Sequence, residues 1–118
     1  MFTAPRSVWP DNVYQFTPPT AYAGYWAQME ACSGLSANFA RVTWFKADSV
    51  MNIPDVGTFA EHPFGFADWK DHRIALSGNS TDDAVVVRHE MLHELLQRDG
   101  HPPEFFGVGG KCFAEVTH

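Results

Sequence analysis

Ser80-Thr-Asp-Asp-Ala-Val-Val-Val-Arg-His-Glu-Met-Leu-His-Glu-Leu-Leu-Gln-Arg98, followed by Asp99-Gly100 and then Pro102-Pro103, is the most strongly patterned stretch of the chain. From Ser80 to Arg98 it holds neither Gly nor Pro, so nothing interrupts a helix. Ser80, Thr81 and Asp82 offer capping oxygens, and Asp83 adds negative charge where a helix N-terminus favours it. Asp99-Gly100 is the expected stop, and Pro102-Pro103 prevents resumption. The apolar residues Val85, Val86, Val87, Met91, Leu92, Leu95 and Leu96 occupy most of the circumference, so this helix is expected in the middle of the domain. Arg88 falls on its apolar back, where a guanidinium needs a carboxylate or carbonyls. Glu94 and Arg98 read as an ordinary exposed i,i+4 pair.

Around this helix there is room for little else. A chain of 118 residues makes one compact domain, and with 45% hydrophobic and 14% aromatic residues it can fill a core. Residues 1–19 carry four prolines and read as an extended arm pinned by Trp9, Tyr14 and Phe16. Tyr22, Tyr25, Trp26 and Met29 follow helical spacing between Pro18-Pro19 and Gly34, which predicts a backing helix over about 19–33. Residues 39–46 are rich in β-branched and aromatic types and read as a strand. Shorter strands are expected at Val56–Glu61 and Arg73–Ser77, with loops at Asp48–Pro54 and 63–72. The class is therefore α+β, a short mixed sheet packed on a backing helix and a central helix that carries the chemistry.

That chemistry is written in His89-Glu90-Met91-Leu92-His93, an H-E-x-x-H sequence. Two histidines four apart stand one turn above one another, so both imidazoles reach one metal ion. Glu90 is turned by about 100° from His89, too far to be an ideal ligand but near enough to hold a water that the metal activates. On an exposed helix such letters arise by chance. Among apolar neighbours, however, two His and a Glu are costly unless a metal satisfies them. Zinc is the expected ion, with three protein ligands and a fourth position for water.

His101 is the favoured third ligand. It is the first residue after Gly100 able to point back, and Pro102 biases its backbone toward an extended form. Asp99 and Glu104 compete for the place. Asp99 lies six residues after His93, but that spacing wants Gly where the chain has Leu96. Asp99 suits a helix cap or a partner for an imidazole Nδ1–H. No oxyanion stabiliser identifies itself; His72, Tyr22, Tyr25 and Tyr14 are candidates. His72 beside Asp71 and Arg73 reads better as a surface histidine, and His62 and His118 read as incidental.

His89-Glu-Met-Leu-His93, then seven residues, then His101-Pro-Pro-Glu-Phe105, resembles the zincin metallopeptidases of the SprT-like and WLM-type groups and small bacterial secreted metallopeptidase-like proteins. The likeness rests on about 17 of the 118 residues. It implies a minimal zincin fold, zinc on His89, His93 and His101, Glu90 as general base and acid, and Phe105 packed beneath the metal loop. The expected activity is zinc-dependent peptide hydrolysis, with an extended substrate adding as a strand to an edge at 73–77. Two other readings stay open: a zinc-stabilised binding or structural module, and a zinc amidase acting on cell-wall peptide.

Net charge and cysteines bound the setting. Eight Lys and Arg against 14 Asp and Glu give a net charge of −6, which repels a phosphate backbone and disfavours nucleic acid as partner. No apolar run approaches the ~20 residues of a membrane span, and Met1–Pro10 lacks the pattern of a secretory signal. A peptide or protein substrate and a monomeric state are expected. Cys32 and Cys112 form no C-x-x-C pair, and the choice is between a disulfide and two buried thiols. The disulfide is favoured for so small a domain and places it in a secreted or periplasmic setting; free thiols would mean the cytoplasm.

Overall fold

The computed structural model describes residues 13–47 and 64–112. Two helices and a four-stranded mixed sheet make an α+β architecture. In chain order the elements are β1 (Val13–Gln15), α1 (Ala21–Ser33), β2 (Thr43–Ala47), β3 (Gly65–Asp68), β4 (Arg73–Ser77) and α2 (Ala84–Leu96). Expectations at Trp9, Asp48–Pro54, Val56–Glu61, His62 and His118 lie outside the described residues.

α1 forms where Tyr22, Trp26, Met29 and Ser33 recur on one buried face. Gly34 stops it in the left-handed conformation at φ 76°, its N–H donating to the Glu30 carbonyl. The Glu30 carboxylate then accepts from Ser36 Oγ and Ala37 N, and Trp26 Nε1 donates to the Ala37 carbonyl, folding the exit segment back on the helix.

The sheet runs β1-β2-β4-β3. β2 and β4 are parallel, with Trp44 opposite Ile74, while β1 and β3 pair antiparallel on the two outer sides. All five residues of β4 are buried, which its central place explains. The expectation that 73–77 is an edge is thereby corrected: among the described residues β3 is the edge, and it lies inside the segment 63–72 read as a loop. Gly65 and Pro63 hid it, because short edge strands tolerate residues that central strands do not. The strand expected over 39–46 also begins later. Phe39–Arg41 is a single 3-10 turn capped by Asn38, whose side chain accepts from Ala40 N. The Pro-rich arm contributes β1, and its Phe16 packs on the core whereas Tyr14 is largely exposed.

α2 is shorter than its uninterrupted pattern. Asp83 is the cap, accepting from Val85 N at 3.0 Å and Val86 N at 3.3 Å, and the helix ends at Gln97 in the left-handed region with φ 54°. Its position is central as expected. Val87, Met91 and Leu92 are wholly buried against Tyr22, Trp26, Trp44, Ile74 and Leu76. A disulfide joins Cys32 of α1 to Cys112, tying the backing helix to the chain beyond α2.

Candidate metal centre

One helical turn separates His89 and His93, and the chain after α2 brings a third imidazole to them. Gly100, with φ 82°, turns it back, and His101 Nε2 lies 3.2 Å from His89 Nε2. His93 Nε2 is also 3.2 Å from His89 Nε2. The ligand atoms of these three residues all lie within 4.8 Å of one another, so His89, His93 and His101 could hold a metal ion. The spacing fits one: tetrahedral metal–nitrogen bonds of ~2.05 Å put two ligand nitrogens about 3.3 Å apart. His89 and His93 are buried and His101 half-buried.

The surroundings fix the rings. The carbonyl of Arg98 lies 3.2 Å from His93 Nδ1, which assigns the proton to Nδ1 and leaves the Nε2 lone pair for a metal. Phe106, nearly inaccessible, presents its ring to all three imidazoles at centroid distances of 5.1, 5.0 and 5.0 Å. It is Phe106 that fills the place the resemblance gave to Phe105, whose ring instead lies under Lys111 Nζ. Asp99 Oδ1 accepts from Trp69 Nε1 at 3.1 Å. Glu104 pairs with Lys111 on the exposed surface, and neither acid joins the cluster.

Glu90 is buried at 3% exposure next to His89. Burial, and secondarily the charge of Asp99, hold its carboxyl well above the usual carboxylate range. A cation on the imidazoles acts in the opposite sense. What the sequence did not reveal is Gly65 of β3. A Cβ there would stand 3.0 Å from Glu90 Cγ, 3.1 Å from Glu90 Oε2 and 3.2 Å from Leu76 Cδ2. The edge strand passes the carboxylate so closely that only a glycine leaves it in place.

Other residues singled out in the sequence stand elsewhere. Tyr22 is core: its ring meets Trp44 edge-on and its hydroxyl donates to the Thr81 carbonyl. Tyr25 stacks obliquely on Tyr22, and Tyr14 is exposed on β1. None joins the histidines. Arg88 does find a carbonyl, that of Ala84, and reaches Gln28 Oε1.

The exposed Glu94–Arg98 pair does not exist. Glu94 is fully buried and accepts from Arg41 Nη2, from His72 Nδ1 at 3.0 Å and from Gln97 Nε2 at 2.6 Å. Burial raises its carboxyl, and His72 and Arg41 pull it back. His72, left-handed at φ 54° in the turn before β4, keeps its side chain at the surface as expected and is a partner of that carboxylate. Local spacing named the i,i+4 neighbour; the true partners come from the turns before β2 and β4. No family model, curated protein or solved structure matches the chain.

Proposed function

We propose that the chain is a zinc-dependent metallopeptidase. The observation that carries this reading is the convergence of three imidazole nitrogens with a buried carboxylate one residue from His89, a donor set suited to zinc. A bound zinc ion supplies Lewis acidity, which makes a water acidic near neutral pH and polarises a peptide carbonyl.

The protein's own groups do the remaining work. His89, His93 and His101 bind through Nε2, and the Arg98 carbonyl holds the second ring in the required tautomer. Glu90 takes the proton from the attacking water and passes it to the leaving nitrogen, so that water is added across the C–N bond to give a carboxylate and an amine. Phe106 shuts solvent out beneath the rings. β3 presents a backbone edge beside Glu90 on which an extended peptide can lie, replacing the role expected of 73–77. The disulfide agrees with a secreted or periplasmic setting. Among the described residues no helix is long and apolar enough to cross a membrane.

Glu90→Gln tests the assignment. The variant should keep one zinc per chain by elemental analysis and lose hydrolysis of a mixed peptide library by at least ~100-fold, the usual worth of a general base. Retained hydrolysis would overturn the role of Glu90. Wild-type protein that binds zinc but cleaves no peptide would favour a closed structural site.

A further inference from the structure

The edge strand and the ligand loop meet at one end of the site. Phe64 accepts from Ser77 N, which makes Phe64, Phe66 and Asp68 the residues that bond inward to β4 and turns the backbone groups of Gly65 and Ala67 outward. Gly65 marks the position of Glu90 along the strand. The strand ends at Asp68, and just beyond it, four residues from Gly65, the indole N–H of Trp69 donates to Asp99 Oδ1. Asp99 belongs to the loop that carries both the Arg98 carbonyl and His101. The Trp69–Asp99 bond therefore bridges strand and ligand loop, and a chain lying along β3 meets it about four residues, or ~13 Å, beyond Glu90.

The bridge also bears a charge. No cationic side chain pairs with Asp99 among the described residues, whereas Asp68 and Asp71, nearby in sequence, are both engaged by Arg73. Asp99 is exposed, and a carboxylate at the end of the strand attracts an ammonium and repels a carboxylate. With a substrate antiparallel to β3, its amino-terminal side points toward Trp69, which brings the two arguments together.

Resting on the peptidase reading, we propose that the Trp69–Asp99 bridge closes the cleft on the amino-terminal side of the scissile bond and that the site acts on peptides with a free α-amino group, cutting within about four residues of it. Trp69 supplies the wall and Asp99 the charge. The products are short amino-terminal fragments, not internal cuts in long chains.

The test uses zinc-loaded full-length protein and one peptide sequence, with two to eight residues before the cleaved bond, each as free amine and as N-acetyl form. Wild type should cut the free amines about fivefold faster in kcat/KM, near the upper limit for an exposed ion pair. Rates should fall sharply once more than four residues precede the bond. Asp99→Asn keeps the acceptor for Trp69 but removes the charge, and the free-to-acetyl ratio should drop to about one with zinc content unchanged. Trp69→Phe removes the donor and should relax the length limit. Titration of the same peptides into zinc-loaded Glu90→Gln protein should show the same preference in affinity. Equal cleavage of acetylated and free peptides, or equal cleavage at all lengths, overturns the inference and leaves the peptidase standing. Absence of both cleavage and binding overturns the two together.

Discussion

Gly65→Ala is the sharpest perturbation the structure offers, because it adds one carbon at a known distance from the carboxylate. Gly65 does not occupy the left-handed region, so alanine meets no backbone strain there and the whole effect comes from the new Cβ. That carbon would stand 3.0 Å from Glu90 Cγ and 3.1 Å from Oε2. Ordinary carbon contacts lie near 3.5 Å, so Glu90 must retreat by about 0.5 Å. A misplacement of ~1 Å costs about 100-fold in rate, and half that distance costs roughly tenfold on a logarithmic scale.

The loss belongs in kcat. Zinc content should stay at the wild-type level, since none of the three histidines is among the closest atoms met by the new Cβ. The assay is kcat and KM for any peptide the wild type cleaves, normalised to bound zinc, with circular dichroism to confirm the fold. Gly65→Val should lower the rate further, because two more carbons must find space against Leu76 Cδ2, already 3.2 Å from a Cβ. Wild-type kcat in zinc-replete Gly65→Ala protein would refute the idea that the bare backbone at residue 65 sets the position of the general base.

The ligand assignment predicts that His101→Ala weakens zinc binding by more than the ~10–100-fold typical of losing an outer hydrogen bond, whereas Asp99→Ala stays within a few-fold; competition with a chromophoric chelator reads both. Removing the Cys32–Cys112 bridge in the double Ser variant should destabilise the fold by about 4.5 kcal/mol in the chain-entropy model for a separation of 80 residues, measured by urea unfolding. Tyr22 gives a pH dependence. Burial first, then Asp82 and Tyr25, raise its phenol well above the ordinary value of 10, so the folded protein keeps a proton that the unfolded chain releases. Stability should therefore hold below pH 10 and fall above it by up to ~1.4 kcal/mol per pH unit relative to Tyr22→Phe, as chemical denaturation across pH 9–11 would show.

The parts of the centre legible in the sequence are those set by local geometry. His89, Glu90 and His93 lie within one turn and a residue of each other, and His101 follows a Gly that must reverse the chain. The helix over Ala21–Ser33 was equally readable, since Tyr22, Trp26 and Met29 repeat its period and Gly34 can end it. What stayed hidden depends on partners far along the chain. Gly65 looks like a loop glycine until β3 is seen to cross Glu90 25 residues away. Glu94 looks like a surface residue because Arg98 stands at i+4, yet its partners Arg41 and His72 lie 53 and 22 residues upstream. Asp83 and Gln97 trim the helix at both ends, because capping is decided by single dihedral angles and not by periodicity.

The same helix thus holds two buried acids with opposite surroundings. Glu94 faces a guanidinium, an imidazole and an amide, all donors that satisfy an ionised carboxylate. Glu90 sits against the bare backbone of Gly65, and both its burial and the like charge of Asp99 oppose its ionisation. Structural burial favours the first arrangement, which locks α2 to the turns before β2 and β4. The second leaves a carboxyl without that compensation beside His89, and a cation held by His89, His93 and His101 would supply it. Gly65 keeps that carboxyl in place, because any side chain at that point would press on Glu90 Cγ and Oε2.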